Sequence, residues 1–271
     1  MSTTTQAATV NAPGRMNSSS TARRLRALGR AELTLLFRNK AALFIALATP
    51  ILLTLLMRQT ASGMDLSGTG LSMGTVLIPG SIGYVLVFAV YTNLTGAYVT
   101  RREELVLKRL RTGEASDSEI LAGSALPSVM LGVLQCVLLL VGGAVLMDLP
   151  APERPELVAA GVLLGMVMMV GLAAVSAAFT RTTEASQITT FPVIAISAVG
   201  SGIVIPLDVF PGTLGDICAL LPVSPLMDLV RGGWAGTLDG PESAKALGVA
   251  MLWIVLSVLA VRKWFPWEPR R

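Results

Sequence analysis

The chain has 271 residues, 53% of them hydrophobic and only 14% charged, with a formal net charge of +4. Soluble domains carry about 25% charged residues, so this composition excludes an ordinary soluble globule and fits a chain that crosses a membrane several times. Histidine is absent, which removes the commonest general base and metal ligand. The two cysteines, Cys136 and Cys218, cannot form a Cys-x-x-Cys site and read as small buried hydrophobes.

In chain order, residues 1–20 are rich in Ser, Thr and Ala and lack an apolar stretch. They read as a disordered tail rather than a secretory signal. In residues 21–40, Arg23, Arg26, Arg30 and Arg38 recur at helical spacing, with Leu25, Leu28 and Leu36 on another face. A basic amphipathic helix lying in the membrane interface is expected there. Residues 41–262 then predict an all-α membrane domain of six spans, near 41–57, 74–97, 120–147, 157–179, 187–206 and 244–261. Pro50, Pro79, Pro127 and Pro192 interrupt these spans, which neighbouring helices can accommodate. Gly161–Gly165 and Ser197–Ser201 carry the small-residue spacing that permits close helix approach.

Segment 100–123, TRREELVLKRLRTGEASDSEILAG, holds five basic and five acidic residues between the charge-free runs 71–99 and 120–147. A short amphipathic helix is expected over 101–111, with Glu104 and Lys108 paired at i,i+4. Val106, Leu107 and Leu110 would lie on or near its apolar face. Thr112–Gly113 ends it, and Ser116 or Ser118 caps the next helix with Asp117 and Glu119 in its first turn. Such a helix can press apolar side chains into a groove of a soluble partner while its charges set the register; a solvated loop with incidental charge pairs is the other reading.

Segment 208–239 fits neither loop nor span. Its apolar run 217–227 is 11 residues long, includes two prolines, and lies between Asp216 and Asp228. Runs of that length are re-entrant or interfacial, so one or two short helices dipping into the outer leaflet are expected. At the C-terminal end, Trp264 and Trp267 beside Arg262 and Lys263 resemble an interfacial aromatic anchor.

With both termini in the cytoplasm, 17 of the 21 Lys and Arg residues lie on the inner side, as the positive-inside rule requires. The sequence has no Gly-x-x-x-x-Gly-Lys-Ser/Thr loop, no Gly-x-Ser-x-Gly elbow and no His-Glu-x-x-His. No catalytic residue and no metal ligand is assigned. The apolar runs also lack paired carboxylates, so an intramembrane protease or proton relay is excluded. Energy for any transport has to come from another polypeptide.

The loop RREELVLKRLRTGEASDSEILAG after the second span resembles the coupling region of type-2 ABC-transporter permeases. The likeness extends to the basic helix before the first span and to the outer segment running from Phe210-Pro211 through Pro222 and Pro225 to Arg231, and covers about residues 20–265. It is strongest to the actinobacterial, daunorubicin-resistance-like drug exporters. The resemblance implies six spans per protomer, paired with a second copy of the chain, with two separate ATPase subunits binding ATP and Mg. The elbow helix and Arg101, Arg102, Glu103, Glu104, Val106, Leu107, Lys108, Leu110 and Arg111 would then couple to the ATPase. Pro211, Pro222, Pro225 and Arg231 would belong to an outer gate. Tyr84, Phe88, Tyr91 and Asn93 on the second span form a possible substrate path. The implied function is export of hydrophobic drugs across the plasma membrane, with lipid or polysaccharide export and a non-transporting scaffold as the other readings. Membrane lipids, not nucleic acid, are the expected surroundings. Relatives often place Thr-Pro after the coupling helix, whereas this chain has Thr112-Gly113, so its exit turn is expected to be looser.

Overall fold

The computed structural model describes residues 73–113, 116–146, 151–203 and 212–268, together with positions 34, 40, 43, 44, 47–49, 51, 52, 55 and 59. The tail 1–20, the elbow arginines Arg23, Arg26, Arg30 and Arg38, and Pro211 lie outside the described residues. Most of the first predicted span does too, although its described positions are helical.

The described elements are all helical: α1 (Met73–Tyr84), a π-helix (Val85–Thr92), α2 (Asn93–Glu103), α3 (Val106–Arg111), α4 (Asp117–Leu146), α5 (Pro155–Phe179), α6 (Thr183–Gly200), α7 (Gly212–Ala219), α8 (Ser224–Ala235) and α9 (Gly240–Trp264). Proline begins α5, α8 and α9 in the first turn, where its missing N–H costs nothing and its fixed φ favours the helix. Pro79, Pro127 and Pro192 sit inside α1, α4 and α6. Hydroxyls in these helices bond back to their own backbone, as Ser81 to the Leu77 carbonyl at 2.7 Å and Thr95 to the Tyr91 carbonyl at 2.8 Å. That satisfies a polar group where no water is at hand. At the end of α8, Gly236 adopts φ 69°, the left-handed conformation in which glycine closes a helix without a Cβ penalty.

Among the described residues, four helices are long and apolar enough to cross a membrane: Leu77–Glu103, Asp117–Ala144, Pro155–Phe179 and Gly240–Trp264. The pair α7–α8, bent by 99°, makes a fifth if taken as one crossing. The predicted span 187–206 corresponds to α6, whose 18 residues do not qualify. Its first half carries Thr183, Glu184, Ser186, Gln187, Thr189 and Thr190, which dilute the hydropathy on which the expectation rested.

Helix α5 stands at the centre, with α8, α9, the π-helix and α2 packed against it. Gly161 makes the close approach of α8 possible, and Gly165 that of the π-helix. A Cβ at Gly161 would meet Val230 Cγ2 at 2.8 Å and the Leu226 carbonyl at 3.2 Å, and one at Gly165 would meet Leu86 Cδ1 at 2.7 Å. The small-residue spacing read in the sequence therefore serves these contacts, burying Leu226, Leu229 and Val230 completely. Helix α8 is thus a core element, whereas α7 keeps Leu214 and Ile217 exposed. By contrast, α4, α5, α6 and α9 expose large apolar side chains such as Val137, Val141, Leu163, Phe191, Leu252 and Val255. On a soluble protein such a band would drive aggregation; on a chain with these helices it is the hydrocarbon-facing surface.

The two ends of the helical array differ. At one end, the close of α2, the start of α4, the α5–α6 turn and the close of α9 meet, as shown by Tyr98 Oη donating to the Leu121 carbonyl at 3.0 Å and packing edge-on against Phe265. At the other, the residues before α5 bind the end of α8: Arg154 N donates to the Gly233 carbonyl at 2.9 Å, and Arg154 Nη1 to the Leu238 carbonyl at 2.8 Å. The charged loop and the end of α8 occupy opposite ends.

Candidate functional site

The charged loop divides into two parts that point different ways. Helix α2 carries the second span straight on through Arg101, Arg102 and Glu103. Arg102 is 0% exposed. Its guanidinium donates from Nη1 to the Ala177 carbonyl at 2.8 Å, and from Nη2 to the carbonyls of Thr180 and Arg181. These carbonyls lie in the last turn of α5 and just beyond it, where helix acceptors lack partners and the dipole is negative. A buried cation is tolerated because both of its terminal nitrogens donate to that fork of acceptors.

Glu103 does the complementary work one residue on. Its Oε2 accepts from Thr183 N at 3.3 Å and from Thr183 Oγ1, placing an anion at the N-terminus of α6. Arg101 Nη1 reaches Ser124 Oγ on α4 at 2.9 Å. Three consecutive residues therefore tie the second span to α4, α5 and α6. Arg102, expected to face a partner, is turned wholly inward, because the α5 carbonyls need a donor more than the surface needs a charge.

The single helix expected over 101–111 is two pieces. The chain turns at Glu104–Leu105, where Leu105 takes φ 59°, a conformation that costs an L-residue roughly 1–2 kcal/mol. The turn redirects α3 so that Leu107 is 0% exposed in the main core and Leu110 packs against that core. Burying leucine returns about 1.5–3 kcal/mol, enough to hold the strained residue. Glu104, Lys108, Arg109 and Arg111 remain exposed and Val106 is half-buried. The expected Glu104–Lys108 pairing is replaced: Lys108 Nζ lies 2.9 Å from Glu268 Oε1. Arg111 Nε is 3.1 Å from Asp117 Oδ1, and its guanidinium sits 4.9 Å from the Trp267 ring centre.

The exit from α3 follows the sequence closely. Thr112 closes the helix, its Oγ1 donating to the Arg109 carbonyl at 2.8 Å. Ser116 is the cap of α4: Glu119 N donates to its Oγ at 3.4 Å, and its own N donates to Glu119 Oε2 at 2.8 Å. That reciprocal pair is a capping box.

On the second span, Tyr84 and Phe88 stack with centres 4.3 Å apart. With Asn93, Thr49 and Gln135 they line a cleft of about 120 Å³. Tyr91 does not join them. It is fully buried and hydrogen-bonded to Ser176 on α5 at 2.9 Å. Sequence spacing put Tyr84, Phe88 and Tyr91 on one α-helical face, but the π-helix turns less per residue and carries Tyr91 round to α5.

Of the outer-gate residues, Pro225 begins α8 and is buried, while Pro222 is half-buried in the bend before it. Arg231 Nη2 donates to the Gly202 carbonyl just past α6. The bend brings Pro222, Pro225 and Arg231 to the end opposite the charged loop.

Sequence reasoning missed Gln135 in the cleft and Phe265 at the loop. Trp267, taken for a membrane anchor, instead packs edge-on against Phe265 at 5.2 Å and under Arg111; Trp264 stays half-exposed beside Phe179 and Lys263. Among the described residues no three His, Cys, Asp or Glu gather as metal ligands would.

The family model described as ABC-2 type transporter matches residues 23–234. No curated protein matches the chain.

Proposed function

The chain belongs to the ABC-2 type transporter family and is an integral-membrane permease component of an ABC transporter; from that premise we propose that it exports hydrophobic drugs or antibiotics. Two copies of a separate ATPase subunit would bind ATP and Mg and drive it. A second copy of this chain would complete the channel in the plasma membrane, with both termini in the cytoplasm. The elbow arginines Arg23, Arg26, Arg30 and Arg38 would share the docking surface.

The observation that carries this reading is α3. It presents Lys108, Arg109 and Arg111 outward while Leu107 is locked in the core. A push on such a helix passes directly to α2, and from Arg102 and Glu103 to the ends of α5 and α6. For the substrate, the support is the stacked Tyr84–Phe88 pair with Asn93 beside it, an aromatic wall with an amide. Export of lipid is favoured by a different place: an apolar cleft of about 360 Å³ between α5 and α9, lined by Leu172, Val175, Trp253 and Leu256. It suits an acyl chain.

The test is reconstitution of the permease with its ATPase in liposomes. ATP turnover should rise with hydrophobic drugs, and Glu104→Arg should lower ATPase binding. Turnover that responds to phospholipid alone supports the lipid reading. If neither compound class alters turnover and Glu104→Arg leaves binding intact, the exporter reading fails.

A further inference from the structure

Helix α3 has six residues and is entered through a left-handed leucine. A helix that short is not stable by itself in water, so something must hold its exposed side. Leu107 and Leu110 secure only the inner face. The outer face is held by the chain's own C-terminal segment, residues 265–268, which follows α9. Phe265 is buried and packs edge-on against Tyr98 at 6.2 Å. Trp267 packs against Phe265 and lies beneath the Arg111 guanidinium at 4.9 Å. Glu268 closes the contact on Lys108 at 2.9 Å. An unbroken line of contacts thus runs from the base of the second span, through the segment after the last span, to the charged side of α3. Lys108, Arg111, Pro266, Trp267 and Glu268 together surround a cleft of about 570 Å³ open on one side.

From this we infer that residues 265–268 brace α3 in the pose that its partner binds, with Trp267 and Glu268 as positioning residues. The inference rests on the exporter reading for the identity of the partner, but not for the brace. The pieces differ in what they contribute. Phe265 seats the segment. Trp267 offers a ring face to the Arg111 guanidinium, which Asp117 holds from the other side of the turn, and Glu268 fixes the rotation of α3 by holding its one lysine, Lys108. The surface the ATPase would meet then includes residues from far along the chain, Trp267 lying 156 positions from Arg111 and Glu268 lying 160 from Lys108.

The test uses the full chain in phosphatidylcholine–phosphatidylglycerol nanodiscs, with amide hydrogen exchange read over residues 106–111. Trp267→Ala and Glu268→Lys should each speed that exchange roughly 3- to 10-fold while leaving α5 and α8 protected. Trp267→Phe, which keeps a ring, and the charge swap Lys108→Glu with Glu268→Lys should each return it to within about twofold. Unchanged exchange in the single variants overturns the brace. So does a swap that fails to restore it, because the single-variant effect is then general loosening. A second arm titrates the ATPase subunit against the same nanodiscs: Trp267→Ala should weaken binding and Trp267→Phe should restore it. Faster exchange with unaltered ATPase affinity overturns the positioning role. A wild-type chain that binds no ATPase at all sinks the exporter reading instead, and the exchange arm still decides the brace.

Discussion

Arg101–Glu103 and Val106–Arg111 are neighbours with similar composition and opposite fates. The first group closes a membrane span and spends its charges on the backbone ends of α5 and α6. The second, beyond one left-handed residue, spends its leucines on the core and keeps its charges on the exposed side, Lys108 against Glu268 and Arg111 against Asp117. What separates them is whether an unsatisfied helix terminus lies within reach. Arg102 finds the carbonyls at the end of α5; Arg109 finds only water and the turn it helps to close. A charged loop between two spans is therefore two parts, a clamp and an exposed helix, the proposed handle, joined at Leu105.

The strongest way to break this contrast is to remove the clamp. Arg102→Ala removes the guanidinium donors from three carbonyls and leaves a void, and should lower stability by about 3 kcal/mol, read as the thermal midpoint in detergent. Arg102→Lys should recover only part of it, since an ammonium cannot fork between separate carbonyls. Next in size, Glu103→Gln keeps the shape but removes the anion at the start of α6. A loss of about 1 kcal/mol is expected, with faster amide exchange confined to the first turn of α6. At the joint, Leu105→Gly should stabilise the chain by about 0.5–1 kcal/mol; destabilisation there would mean that the turn is not left-handed. Smallest of all, Arg109→Ala should leave the midpoint within about 0.5 kcal/mol of the parent and still weaken binding of the ATPase in a pull-down titration. A midpoint drop like that of Arg102→Ala would erase the distinction between clamp and handle.

Much of this was legible in the sequence where the cause is local. The cap at Ser116 with Glu119 in the first turn and the stop at Thr112–Gly113 each depend on residues within four positions, and the structure has them. The glycine spacing at 161 and 165 announced close helix contacts but not their partners, α8 at Gly161 and the π-helix at Gly165. What stayed hidden involves partners far along the chain. Arg102 meets carbonyls 75 and 78 residues away, and no periodicity encodes that. The Glu104–Lys108 pairing assumed one continuous helix; the turn at Leu105 removed the geometry on which the i,i+4 rule depends. Trp267 was placed at the membrane because tryptophan beside lysine and arginine is a membrane signature, yet a guanidinium on α3 is also a partner for an indole face.

The π-helix has a consequence for any mutational survey of the second span. From Val85 to Thr92 the backbone winds more slowly than the α-helices on either side. A helical wheel drawn through residues 77–103 at 100° per residue is therefore out of phase on one side of that stretch. Substituting the span residue by residue should give two tolerance patterns of the same period, offset from one another, with the discontinuity between Tyr84 and Asn93. The lipid-facing stripe on one flank cannot be extrapolated to the other.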